Sequence, residues 1–329
     1  GLPSVIALLV MTMEIVFTER PLVHVEIAVE ACQSHVSDEL SKKWHEHINA
    51  CERLRANDCR QSAPAELQQS CTQLVLEPDD PDTILGGPGQ TYVIEVHLYI
   101  LNKEEASVEE LEPTNGDDEW TAACENLSLP HSSLLTLWES LVFESTIGRD
   151  LVHFATSGLL FADARVDSSL IGWNRLLLLH GPPGTGKTSL CRALAQKLSV
   201  RLRKRFPRTT LLEVHSHSLF SKWFSTSGKL IAQVFEMVQD MIKDDPKCLV
   251  CVVLDEIESL ASSRSSLSGN GEPSDAVRAV NSLLTSIDKL RAHPNVLLLA
   301  TTNLPGSVDP ALLDRADLKV HIGLPCLSA

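Results

Sequence analysis

Three glycines, a lysine and two threonines crowd into eight residues of this chain, Gly181-Pro-Pro-Gly-Thr-Gly-Lys-Thr188. Glycines at 181, 184 and 186 let the backbone curl so that successive N–H groups face one point. A helix starting after Gly186 adds its dipole to the attraction for an anion. The run spells the phosphate-loop pattern, with the apolar strand 175–180 before it and a helical run 189–198 behind it. On that reading Gly181, Pro182, Pro183, Gly184, Thr185, Gly186, Lys187, Thr188 and Ser189 bind a nucleotide. Lys187 reaches the terminal phosphates of ATP and the Thr188 hydroxyl ligates Mg. A glycine-rich turn that binds nothing is the competing reading, and the strand and helix in the required order weigh against it.

A second apolar strand, Leu249-Val-Cys-Val-Val-Leu-Asp-Glu256, ends in two carboxylates. Beside a phosphate loop, Asp255 is expected to hold Mg and Glu256 to polarise an attacking water. Cys248 and Cys251 flank this strand with a spacing that zinc or redox sites use, but no second cysteine pair follows. Buried small residues fit them better. His215 and His217 lack further clustered ligands and are not read as a metal site. A third strand, Asn295-Val-Leu-Leu-Leu-Ala-Thr-Thr-Asn303, ends in an amide. At the carboxyl edge of a parallel sheet, Asn303 can orient that water; the alternative is a turn or capping asparagine.

These three strand ends require a frame that sets them side by side. From Leu134 onward strands alternate with helical periodicity, with strands expected at 175–180, 210–214, 248–254, 295–301 and 318–322. That alternation predicts an α/β fold: a five-stranded parallel sheet flanked by helices, of the P-loop NTPase kind. Before it, residues 21–30 and 91–101 read as strands, and Leu40, Trp44, Ile48 and Leu54 have helical spacing. The N-terminal residues 1–103 are therefore expected to form a separate α+β module that recognises a substrate or adaptor. Residues 77–82 and 86–89 read as turns. Between 104 and 119 stand eight acidic residues and no basic one, so 104–133 is expected to be an acidic linker and 134–329 the ATPase domain.

A formal charge of −15 argues against a general affinity for a nucleic acid backbone, which needs a basic surface, so any such contact is expected to be local. The cluster Arg201-Leu-Arg-Lys-Arg-Phe-Pro-Arg208 reads equally as a nuclear import signal or a solvated basic loop. Nine irregularly spaced cysteines fit a reducing compartment. Residues 5–17 are apolar, but no basic residue precedes them and Glu14 interrupts them, so a buried strand or an irregular start is expected rather than a secretory signal. No membrane association is expected.

The strand end Thr301-Thr-Asn303, followed by Val308-Asp-Pro-Ala-Leu-Leu-Asp-Arg-Ala-Asp317, resembles the second region of homology of AAA ATPases. The resemblance implies that Arg315 is an arginine finger reaching a neighbour's γ-phosphate, hence a homo-oligomer, in this class usually a hexamer. The family's other arginine is replaced here. A surface arginine paired with Asp314 or Asp317 is the competing reading. In Leu219-Phe-Ser-Lys-Trp-Phe-Ser-Thr-Ser-Gly-Lys229, Trp223 and Phe224 stand where AAA unfoldases carry a substrate-gripping pore loop; a buried helix face is the alternative.

Together with Asn174–Cys191, Ser216–Phe224 and Glu272-Pro-Ser-Asp-Ala-Val-Arg278, these segments are similar to the pachytene-checkpoint ATPase family over roughly 134–323. That resemblance implies an ATP- and Mg-dependent ATPase that remodels HORMA-domain proteins, with an adaptor as a further partner. It places the protein in meiotic synapsis and recombination or spindle-checkpoint silencing, in the nucleus on chromosomes and secondarily in the cytoplasm. The helical lid that follows this domain in the family is not found before Ala329, so 134–329 is expected to be the large subdomain alone. Two rival functions remain: a DNA-directed AAA+ ATPase of clamp-loader or initiator type, and a lid-less nucleotide-binding interaction protein.

Overall fold

The computed structural model describes residues 21–30, 36, 38–51, 54–79, 83, 85, 92–111, 121–143, 146–163, 173–214, 227–260 and 273–324. The chain divides into two units, Gly1–Ile100 and Leu101–Ala329.

In the first unit the elements run β1 (Leu22–Val29), α1 (Asp38–Ala50), α2 (Ala56–Gln61), α3 (Ala65–Ser70), β2 (Cys71–Pro78) and β3 (Val93–Ile100). β1 is the middle strand of the described sheet, antiparallel to β2 and parallel to β3. Period-2 alternation sends Val25, Ile27 and Val29 of β1, with Leu74 and Leu98, into a core with Trp44, Ile48, Cys59 and Leu67. Trp44 and Ile48 stand four apart on α1, so one helical face supplies both. Sequence reading gave Glu77 and Pro78 to a turn, but both belong to β2. Pro78 closes the strand at the sheet's edge, where its missing N–H costs no interior ladder bond.

The second unit continues with β4 (Ser107–Leu111), β5 (Thr121–Leu129), α4 (Leu137–Ser140), α5 (Ile147–Asp163), β6 (Leu176–His180), α6 (Lys187–Arg201) and β7 (Arg208–Val214). After these come α7 (Ser227–Asp244), β8 (Cys248–Leu254), α8 (Ile257–Leu260), α9 (Pro273–Leu290), β9 (Val296–Thr302), α10 (Pro310–Leu313) and β10 (Leu318–His321). Among the described residues they build a seven-stranded sheet in the order β10-β6-β9-β8-β7-β5-β4. Its first five strands are parallel, as expected, and β5 and β4 extend it in antiparallel sense.

That extension corrects the linker reading. The acidic segment 104–133 contains two strands of the sheet, whereas 112–120 lies outside the described residues. Net charge misled because β4 is an edge strand, where Glu110 is exposed and Glu109, half-buried, accepts from Asn126 Nδ2 at 3.2 Å. Cys124 and Leu129 of β5 turn inward and are buried.

Every residue of β8 and β9 is buried, which is why these strands read as unbroken apolar runs. Alternate side chains feed two cores. Val250, Val252, Leu254, Leu298 and Ala300 meet α7 and α9 on one face, while Leu249, Cys251, Val253, Leu297 and Leu299 meet α6 on the other. Cys248 and Cys251 are core thiols whose pKa values burial raises, as a packing role requires. Arg175, with φ of 56°, turns its buried guanidinium onto the carbonyls of Leu290, Arg291 and His293 just past α9, at 3.3, 3.0 and 2.6 Å, and of Val296 at 3.1 Å. It thereby serves the carbonyls of Arg291 and His293 just past the helix, while Leu290 O also accepts the His293 N–H at 3.0 Å. Burial lowers its pKa to about 10, with Asp317 opposing the shift.

No helix among the described residues is long and apolar enough to cross a membrane.

Candidate nucleotide-binding site

The phosphate loop leaves the carboxyl end of β6, which lies between β10 and β9, so the chain must cross the sheet to reach β7. Such a reversal opens a crevice at the strand ends. Gly181, Gly184 and Gly186 adopt φ of 150°, 77° and 85°. A Cβ on Gly181 would run into the carbonyl oxygen of Ile322, so the first glycine is demanded by close approach as well as by its dihedral. The Gly181 N–H donates to Thr302 O at 3.3 Å and the Ile322 N–H to His180 O at 2.8 Å, which pins the loop's origin between β9 and β10.

Gly186 caps α6 in the left-handed region, and the first turn of that helix carries no acidic residue to compete for an anion. The Lys187 ammonium is folded into the loop: it donates to Gly181 O at 3.0 Å and Pro182 O at 2.7 Å, and lies 3.5 Å from Thr185 Oγ1. Desolvation lowers its pKa, opposed by the charges of Glu258, Asp255 and Glu256. Its present acceptors are neutral oxygens, and phosphate oxygens would make stronger charge-assisted bonds in their place. Ser189 follows Thr188 on the half-buried side of α6.

The Thr188 hydroxyl donates to Asp255 Oδ1 at 2.8 Å, so the phosphate loop and the end of β8 meet as their motifs predict. The same carboxylate oxygen accepts the hydroxyl of Thr301, and Thr301 Oγ1 in turn accepts the Glu256 N–H at 3.1 Å. Glu256 has φ of 53°, a conformation that non-glycine residues rarely adopt and that sites tolerate where surrounding bonds hold it. One hydroxyl therefore orients both acidic residues. A hydroxyl and a carboxylate, all oxygen, form the donor set a hard divalent cation requires, so Thr188 and Asp255 fit Mg. The glycine cradle and the Lys187 ammonium fit a polyphosphate.

Asn303 follows the end of β9, beside β8, and its N–H donates to Glu258 Oε1 at 3.0 Å. Arg315 lies beyond α10. Its guanidinium makes a bidentate pair with Asp288 on α9 at 2.9 and 2.8 Å, and donates to Ala311 O at 2.9 Å. The partner is thus neither of the two neighbouring aspartates: Asp317 accepts the N–H groups of Asn174 and Leu176 instead, at 3.3 and 3.1 Å. Trp223 and Phe224, with His215 and His217, lie outside the described residues.

Sequence reasoning missed Thr301, Glu258 and Asp288. Thr301 was visible as the hydroxyl two residues before the strand-end amide, and Glu258 as a third carboxylate following Asp255 and Glu256. Asp288 carries no motif and is found only through the packing of α9. Leu141 continues the apolar spacing that begins at Leu134. It follows the single turn of α4, with a methyl carbon 3.5 Å from where a Gly186 Cβ would stand.

The profile of the ATPase family associated with various cellular activities (AAA) matches residues 177–324. A curated relative described as pachytene checkpoint protein 2 homolog, from Canis lupus familiaris, is 41% identical over 317 residues, covering 94% of this chain and 72% of its own. The solved structure of C. elegans PCH-2 superposes with a TM-score of 0.72 at 34% identity, over 92% of this chain and 73% of that one. A complex described as E. coli MS115-1 HORMA:CdnC:Trip13 shares the fold, with a TM-score of 0.52 and 18% identity over 61% of this chain and 69% of that one. The chain spans about half the length of most of the curated relatives it matches. The phosphate loop, the paired strand-end acids and likeness along nearly the whole sequence agree, and the chain belongs to the pachytene checkpoint protein 2 homolog family of AAA ATPases.

Proposed function

We propose that this chain is the ATP-hydrolysing part of a remodeller of HORMA-domain proteins. The observation that carries the reading is the bond from Thr188 to Asp255 beside the buried Lys187 ammonium, which joins the phosphate-binding and metal-binding halves of a hydrolytic site. The backbone of 181–186 cradles the phosphates of ATP, and Lys187 exchanges loop carbonyls for phosphate oxygens. Mg, when held by Thr188 and Asp255, supplies charge neutralisation on the phosphate oxygens. Glu256 accepts a proton from the attacking water and Asn303 orients that water.

Arg315 acts in trans on the γ-phosphate of a neighbouring subunit, in a homo-oligomeric, hexameric ring. Trp223 and Phe224 grip the client. The residues before 104 take part in recognising the HORMA client or an adaptor. The setting is the nucleus, in meiotic synapsis and recombination or spindle-checkpoint silencing. Family membership supports this reading, as does the HORMA protein bound to a related fold.

A purified HORMA-domain protein, incubated with the Glu256→Gln chain in full-length form, should be retained when ATP is present and released when ADP replaces it. Nucleotide-independent retention, or none, overturns the remodeller reading.

A further inference from the structure

On the face of the N-terminal sheet away from its helices, polar side chains gather that the nucleotide site does not use. His24 on β1 stands in parallel register with Glu95 on β3, and His97 lies two residues along the same strand, so the three share one face. His24 and His97 are buried. His24 Nδ1 and His97 Nε2 lie 3.1 Å apart, and Glu95 Oε2 lies 3.8 Å from the first and 4.0 Å from the second.

One shared proton accounts for the imidazole pair. The Glu95 carboxylate faces both nitrogens from beyond hydrogen-bond length, a spacing that suits three ligands around one ion. A point equidistant from the three atoms lies about 2.1 Å from each, the length of a zinc–nitrogen or zinc–oxygen bond.

We propose that His24, His97 and Glu95 bind a zinc-type divalent cation, with water as a fourth ligand. Two imidazoles beside one carboxylate select such a borderline ion over Mg or Ca, which take oxygen alone. Asp79 Oδ1 lies 3.7 Å from the other ring nitrogen of His24, too far for a hydrogen bond as it stands but on the side from which, on closer approach, a second carboxylate would fix the tautomer of a ligating histidine. The Glu95 and Asp79 side chains are 38% and 33% exposed, so the ion and its water enter from the carboxylate side. The bound ion clips β1 to β3.

The test uses the whole chain, stripped of metal, its accessible thiols alkylated, and held in excess Mg and ADP so that neither exposed cysteines nor the phosphate site compete for zinc. Titration with zinc chloride against a chromogenic chelator should show one zinc per chain at about 1 µM or tighter. Glu95→Gln, at a partly exposed position that tolerates change, should weaken it at least about 10-fold with an unaltered circular dichroism spectrum, as should His24→Asn, and Asp79→Asn about 10-fold. X-ray absorption at the zinc edge should show imidazole and oxygen ligands. Absence of zinc uptake at about 10 µM, equal uptake by parent and Glu95→Gln, or sulfur ligation overturns the proposal. Should His24→Asn misfold, Glu95→Gln decides.

Discussion

Arg315 and Asp288 face each other across 27 residues of sequence as a two-bond fork, at 2.9 and 2.8 Å, and the pair ties the segment after α10 to the last turns of α9. The Arg175 guanidinium closes the same helix end from the sheet side. Asp288 holds its pKa below the ordinary carboxylate range through its hydrogen bonds to Arg315. The candidate finger is thus held by its own chain, in a partly exposed pair of the kind that stabilises a fold by only about 0–1 kcal/mol. On the proposed reading, a neighbour's phosphate would displace Asp288 at little cost.

Two variants separate the roles of that pair. In the assembled protein, Arg315→Ala should cut the hydrolysis rate by about 1,000-fold while nucleotide affinity stays within a few-fold. Asp288→Ala should leave hydrolysis nearly intact. Equal losses in both, measured as steady-state turnover, would reduce Arg315 to a structural partner of α9.

On the proposed reading, Lys187 and Glu256 divide binding from hydrolysis. Lys187→Ala removes the cation that meets the phosphates and should abolish binding of a fluorescent nucleotide. Glu256→Gln keeps shape and hydrogen bonding but loses the proton acceptor, so affinity should persist while turnover falls about 100-fold or more. A Glu256→Gln chain that turns over at the parental rate removes Glu256 from the chemistry.

The parallel frame was legible because β6, β8 and β9 are buried on both faces, and chains with that burial must be apolar throughout. The phosphate loop was legible because the positive φ at 181, 184 and 186 favours glycine, and at 181 a Cβ would also meet Ile322 O. What escaped depends on register. Glu109 reads as linker until β4 is seen at an edge; Asp288 shows no role until α9 is packed, and His24 none until β3 is aligned beside β1. Residues 94–97 do alternate apolar and polar, so Glu95 and His97 could have been assigned one face. Their partner on β1 lies 71 residues before Glu95, and no local pattern links the two.

His180, where β6 enters the phosphate loop, is held below the ordinary histidine value of 6.5 by burial, by His321 and by Lys187. Between 6.5 and that lowered value the unfolded chain carries a proton there that the folded chain lacks. Stability therefore rises with pH across the window and is lost as pH falls through it. His293, lowered chiefly by burial, adds in the same sense. Urea midpoints should drop from about pH 7.5 to about pH 5, and His180→Gln should flatten part of that slope. A slope unchanged by His180→Gln assigns the loss to other groups.

Thr301 makes the most specific demand on the site, because one buried hydroxyl donates to Asp255 and accepts from the Glu256 N–H. Valine at this position matches its volume and keeps the β9 ladder, but it leaves a half-buried N–H without its acceptor and frees the Asp255 carboxylate to turn. The stability cost of Thr301→Val should be about 1–3 kcal/mol, the penalty for stranding a buried polar group. Neither Lys187 nor the glycine cradle is touched, so nucleotide affinity without Mg should change little. The metal carboxylate and the proton acceptor both lose their alignment, and misplacement by about 1 Å can cost about 100-fold in rate. Thr301→Ser restores the hydroxyl and should recover most of the turnover, which a purely packing role would not allow. Turnover in Thr301→Val within two-fold of the parent would mean that Asp255 and Glu256 are oriented by other groups.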